Sequence, residues 1–227
     1  MKKICMILMS ILIFSSCSEN ANKKNADNKV ETKEQISVSK SDVEVLSEAI
    51  MSDSLNADLY VQRARLNLSE ERISQAIKDI NSALSIDKKN LDALLVLADI
   101  YYALGDEDNI LLTLNKACEY APLDSRPIVK LSELSFLQGN FRMADAYVDK
   151  ALELDKYNPK AYYMKGMVAM SAQDTASALK NFMTSRMQQP DFVDPLIQIA
   201  HIYMAKDDTL AKSFFKEAMA IVPDNYY

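Results

Sequence analysis

Glycine is nearly absent from this chain of 227 residues: only Gly105, Gly139 and Gly166 occur, and the six prolines are widely spaced. Turn-rich all-β architectures need both in quantity, so that class is poorly served. There is one histidine, His201, so a Ser-His-Asp, Cys-His or zinc site would rest on a single imidazole. A basic excess is missing too: 26 Lys and Arg stand against 32 Asp and Glu, and no nucleic-acid partner is expected. The apolar run at the N-terminus, Ile4 to Phe14, has 11 residues, short of the roughly 20 that a spanning helix takes. What the chain does have is 49% hydrophobic residues, drawn largely from Ala, Leu and Met, beside Glu and Lys. These are good helix formers in a chain long enough to bury a core, and they point to an all-α fold.

Met1-Lys2-Lys3, the apolar run and Ser15-Ser16 together read as a secretory signal over residues 1–16. Cys17, set after two small residues, resembles the acylated cysteine of the lipobox in bacterial lipoproteins, although Phe14 stands where leucine is usual. The resemblance implies lipid attachment at Cys17, and Ser18 is similar to an outer-membrane sorting signal. Removing residues 1–16 takes away Lys2 and Lys3 and no acid, so the net charge of −6 becomes −8. Cys5 leaves with the signal and Cys17 carries lipid; Cys118 then has no disulfide partner and is expected to pack in the core. Residues 17–39 are rich in Asn, Lys, Glu and Ser and cannot offset their ordering entropy by burial. They are expected to be a flexible tether reaching roughly 25 Å.

From Ala57 a period of 34 residues runs through segments 57–90, 91–124, 125–158, 159–192 and 193–225. Small residues return at the eighth place as Ala64, Ala98, Ser132, Gly166 and Ala200, where a partner helix can come close. They return again as Ala83, Ala117, Ala151, Ser185 and Ala218, with Ala76, Ala144, Ala178 and Ala211 seven residues earlier in four units. Ile80, Leu114, Val148, Phe182 and Phe215 lie between them and fill the space they leave. The phrases ALSIDKKNLDA and ALELDKYNPKA are near copies 68 residues apart, two of these periods.

These residues resemble the tetratricopeptide repeat, a helix-turn-helix unit of 34 residues. The resemblance implies a right-handed α-solenoid of about five units over 57–227. Pro122, Pro190 and Pro223 fall at joints, Pro127, Pro159 and Pro195 in the first turn of a first helix, and Gly105 and Gly139 between helices. Arg63 and Lys165 stand where the family usually has leucine, Ile110 where it has alanine, and Lys88 and Lys156 where it has the joint proline. The first and fourth units are therefore expected to pack less tightly. Over residues 40–56, Ser41-Asp42-Val43-Glu44 matches a capping box opening a half-unit helix that caps the array.

Carboxylate pairs at Asp106/Asp108 and Asp207/Asp208 fall in turns where solvated acids are usual, so neither catalysis, metal nor cofactor is expected. The resemblance implies a concave groove lined by first helices. It is lined chiefly through their second, fifth, ninth and twelfth places: the fifth are Val61, Leu95, Val129, Tyr163 and Ile197; the ninth are Arg65, Asp99, Glu133, Met167 and His201; the twelfth are Leu68, Tyr102, Phe136, Met170 and Met204. The Asn and Lys pattern with which some relatives clamp a terminal carboxylate is missing. The alternative for these side chains is packing between neighbouring first helices. No polar cap is written at the C-terminus, so Phe214, Phe215, Met219, Ile221 and Val222 are expected to leave an apolar edge for a homodimer, unless Tyr226 and Tyr227 cover it. The resulting expectation is a non-enzymatic adaptor lipoprotein of the bacterial cell envelope, facing the periplasm from the outer membrane and binding other envelope proteins. The alternative is a permanent structural component of a larger envelope assembly.

Overall fold

The structure, a computed structural model, describes residues 41–221. The expected signal peptide, Cys17, the tether and Val222, with Pro223, Tyr226 and Tyr227, lie outside the described residues. Among the described residues there are helices and no strand, all in one compact unit. Helix α1 (Asp42–Ser52) is followed by five pairs: α2 (Ala57–Ser69) with α3 (Ile73–Ile86), α4 (Leu91–Leu104) with α5 (Glu107–Tyr120), α6 (Arg126–Leu137) with α7 (Phe141–Leu154), α8 (Pro159–Ser171) with α9 (Thr175–Gln188), and α10 (Val193–Met204) with α11 (Leu210–Ile221). None of them is long and apolar enough to cross a membrane.

The two helices of each pair pack together, and the first helix of the next pair packs on the second helix of the one before. The described chain is thus an all-α solenoid. Its core is a series of clusters, most of them shared by two units: Val61, Ile80 and Ala83 meet Val96 and Ile100, and Val148 and Ala151 meet Ala161 and Met164, while the last, around Leu196 and Ala218, lies within the fifth unit.

Side-chain size at the helix crossings makes this stacking possible. Ala64, Ala98, Ser132, Gly166 and Ala200 are all buried, as are Ala83, Ala117, Ala151, Ser185 and Ala218. A Cβ added at Gly166 would sit closer to the Phe182 ring than real atoms approach. The two buried serines satisfy their hydroxyls on the backbone: Ser132 donates to the Ala144 carbonyl at 2.9 Å and Ser185 to that of Pro159 at 2.7 Å.

The joints are capped and cross-linked by the same residues. Asn90 and Asn158 accept from the N–H groups of Ala93 and Ala161, at 2.8 and 3.0 Å, and so start α4 and α8. Their amide groups donate to Asp58 at 3.2 Å and to Ser125 at 2.8 Å, each at the start of the preceding unit. At α1 the capping box forms: Ser41 Oγ accepts from the Glu44 N–H at 3.3 Å, and Glu44 accepts from the Ser41 N–H at 2.9 Å.

The turn inside every pair has one backbone solution. The fifteenth residue of each unit, Glu71, Gly105, Gly139, Gln173 or Asp207, has φ between 53° and 73°. The next N–H then bonds back across the helix end, as from Asp106 to the Tyr101 carbonyl at 2.9 Å and from Asp174 to that of Ala169 at 2.9 Å. Only two of the five positions carry glycine, so three bear left-handed strain.

The expectation that the first and fourth units pack less tightly is not met, because these two pairs are the most closely packed. Arg63 turns its guanidinium away to Asp79, donating from Nε at 3.0 Å and Nη2 at 2.6 Å, and from Nη1 to Ser47 at 2.9 Å. Asn67 donates to the same carboxylate at 2.9 Å. Lys165 likewise pairs with Asp149. Gly166 brings α8 against Phe182. The loosest pair is the second, where buried Ile110 occupies the alanine place and cannot turn outward.

Replacing Gln173 or Glu71 by glycine should stabilise the fold by about 0.5–1 kcal/mol each, with a smaller gain at Asp207, since Asp tolerates this conformation; thermal melts of the single variants check it. Asp79→Ala should cost about 2–3 kcal/mol, because it strands Arg63 and the buried amide of Asn67, and a urea titration reads that loss.

Candidate functional site

The first helices face one another less uniformly than the repeat suggests. α2 packs against α4 and α6 against α8, whereas α4 and α6 approach less closely. A cavity of about 370 Å³ opens there, walled by α4, α6 and α8 and floored by Ile110 and Leu114 of α5. It brings together six of the residues expected to line the groove: Asp99, Tyr102, Glu133, Phe136, Tyr163 and Met167. A second hollow of about 160 Å³ adjoins it through shared Asp99, Lys130 and Glu133, and gathers Arg65, Leu95, Arg126, Val129, Asn158 and Lys160.

The fifth-place row lies deepest. Val61, Leu95 and Val129 are only 3%, 4% and 2% exposed and belong to the core clusters rather than to an open surface. That place falls in the seam between adjacent units, so at most these side chains form the floor. Tyr163 and Ile197, in the same row, stay half-buried. Tyr102 is 58% exposed at the mouth of the larger cavity. Phe136 is half-buried, its ring 5.1 Å from that of Phe141. Leu68 packs against the first core cluster. Met170, Met204 and His201 are exposed and line neither hollow, and the His201 ring rests 5.5 Å from that of Phe215.

Charged groups divide the groove. Arg65 and Arg126 reach Asp92 from either side, at 3.0 and 2.9 Å, and Arg126 also holds Asp124 at 2.9 Å. The guanidinium of Arg126 keeps the Asp124 carboxyl below its ordinary value. Lys130 pairs with Asp99. Burial, above all, pushes the Glu133 carboxyl up; Lys130 and Lys160 oppose the shift, and Asp99 and Asp194 add to it. Burial pushes the Tyr163 hydroxyl up to about 12, with Asp194 and Glu133 adding and a hydrogen bond from Gln198 opposing. The arrangement can hold a side chain by contact and charge.

Sequence reasoning missed Lys130, Lys160 and Arg126. One signal was present: the second place of the first helix is charged in all five units, as Asp58, Asp92, Arg126, Lys160 and Asp194. Lys130 carried none, since it meets Asp99 only because the repeat brings the sixth place of one unit beside the ninth of the previous one.

At the C-terminal edge, Phe214 is not an outward residue. Its ring stacks on Tyr203 at 5.5 Å and lies under the Arg186 guanidinium, and with Ile221 it packs into the last clusters. Phe214 lies one turn before Ala218 on the face turned toward α10, which is why it is covered. Met219 is 51% exposed. Phe215 remains half-buried among the described residues, whereas Ile80, Leu114, Val148 and Phe182 at the equivalent place are fully covered by a following unit. Cys118 is a half-buried free thiol packed between the second and third units, and burial raises its pKa.

No curated protein matches the chain. Solved structures share its fold: PilW, a type IV pilus biogenesis factor, at 24% identity over 75% of this chain and 79% of that one, with a TM-score of 0.60. A thermophilic tetratricopeptide repeat protein of Thermus thermophilus is 18% identical over 71% and 89%, TM-score 0.64. Yeast Tom70 is 19% identical over 79% of this chain and 39% of that one, TM-score 0.65. Residues 57–90 and 91–122 match the family model of the tetratricopeptide repeat. The same helix pair and left-handed turn are repeated to Ile221, so the described residues have the fold of a tetratricopeptide repeat array, with the family's own pattern matched over 57–122.

Proposed function

We propose that the chain is a non-enzymatic, membrane-anchored adaptor that holds a segment of another cell-envelope protein in its concave groove. The observation that carries this reading is the cavity between α4, α6 and α8. Tyr102 stands largely exposed at its mouth while Phe136, Tyr163 and Met167 wall it. Apolar and aromatic side chains kept in a concavity beside a few placed charges are the composition of a binding site. Binding rather than catalysis is further supported by the surroundings of the two reactive side chains. The His201 ring leans on Phe215, outside both hollows, and burial disfavours the thiolate of Cys118.

The anchor is read from residues 1–17 and the tether from 17–39. Lipid on Cys17 would keep the array at a membrane and raise the local concentration of whatever the groove holds. The periplasmic face of a bacterial outer membrane is the location this reading proposes.

Replacement of exposed Tyr102 by Ser should leave the melting temperature within a degree or two while weakening capture of the native partner about thirtyfold, a loss of ~2 kcal/mol. Pull-down from solubilised membranes with quantitative mass spectrometry tests this, and equal recovery by both chains would move binding to the ends or the convex face. The full chain carrying Cys17→Ser should appear in the soluble fraction after cell breakage. Its retention with the membranes would remove the lipid anchor from the account.

A further inference from the structure

We propose that Glu133 is the anchor for a cationic side chain, Lys or Arg, carried by the partner segment and seated among Tyr102, Phe136 and Tyr163. The proposal rests on the groove reading above and adds the chemistry of the occupant. It begins with how the other groove charges are occupied. Asp99 is engaged by Lys130, and Asp92 and Asp124 are engaged by Arg65 and Arg126. Glu133 lines both hollows, yet makes no hydrogen bond or ion pair among the described residues. Lys130 is committed to Asp99, and Lys160 lines the smaller hollow and not the larger one.

The charged residues lining the larger cavity are Asp99, Lys130 and Glu133, one net negative charge once Glu133 is ionised. An acidic segment or a terminal carboxylate would meet that charge and be repelled. A guanidinium or ammonium would form a charge-assisted hydrogen bond with Glu133, stronger than a neutral one. Aromatic faces on the same walls favour a cation as well. The volume of about 370 Å³ suits one long side chain and its flanking contacts, since it lies near the lower end for ligand sites.

The free protein bears a cost that such a ligand removes. Burial disfavours ionised Glu133, so the folded chain binds a proton there more readily than the unfolded one and loses some stability as pH rises through that carboxyl's titration. An arriving cation supplies the direct ion pair that Glu133 lacks among the described residues. Because Lys and Arg stay protonated, the preference for them should fade as acid protonates Glu133. Burial leads this titration, with Lys130, Lys160, Asp99 and Asp194 as the charged groups that act on it, and the Tyr163 hydroxyl feels the Glu133 charge in turn.

The test titrates the full chain calorimetrically with short synthetic Leu-Ala peptides that differ in one central residue: Lys, Arg, norleucine or Glu. The Lys and Arg peptides should bind at least tenfold more tightly than the norleucine peptide, and the Glu peptide weakest of all. Glu133→Gln should erase the preference while leaving the melting temperature equal or higher, because it removes a half-buried charge that has no ion pair among the described residues. Glu133→Asp, which keeps the charge, should retain part of the preference, and Lys160→Met should strengthen it. A norleucine peptide bound as tightly as the Lys peptide would overturn the cationic anchor and leave the apolar groove standing. Failure of every peptide to bind would overturn the groove reading together with it.

Discussion

The close approach of two helices at a small side chain is the constraint on which the rest of this molecule depends. At Gly166 it is at its limit, with the Phe182 ring occupying the space of a missing methyl. Elsewhere alanine or a backbone-bonded serine does the same work. Once a pair closes this tightly, its large residues are buried mainly against the next pair, and the core clusters before the last unit each span two units. Stability in such an array comes from neighbours. The half-covered state of Phe215 among the described residues is the local counterpart of that rule.

Much of this was legible in the residues, because the crossing sites admit only small side chains and therefore recur at a fixed spacing. The helix pairs and the capping box at Ser41 were legible for the same reason: their residue types are narrowly constrained. The turns were half legible. Gly105 and Gly139 announce a left-handed residue, but Glu71, Gln173 and Asp207 adopt the same φ with no glycine to mark it, since the surrounding pair forces the conformation. Arg63 misled in the opposite direction. Its charge suggested a loose unit, yet its length lets the guanidinium leave the apolar contact and reach Asp79 and Ser47.

The groove was legible as a face and not as a surface. Periodicity places Val61, Leu95 and Val129 on the concave side, but whether they are covered depends on how closely consecutive first helices approach. That distance is set by the second helices behind them. Ile110 is the case in point: a branched side chain at an alanine place, buried, goes with the loosest pair and floors the larger cavity.

Opening and charge then meet at one location. A repeat architecture allows a place to change in one unit while four others keep the fold, so the cost of an irregular residue stays local. Ile110 loosens the second unit, and the third supplies Glu133 to the same space with no hydrogen bond or ion pair to its carboxylate among the described residues. A core under selection for stability alone would favour alanine at the first position and an uncharged side chain at the second. Keeping both departures on the walls of one cavity is the pattern of a site whose unfavourable terms are relieved only when something binds.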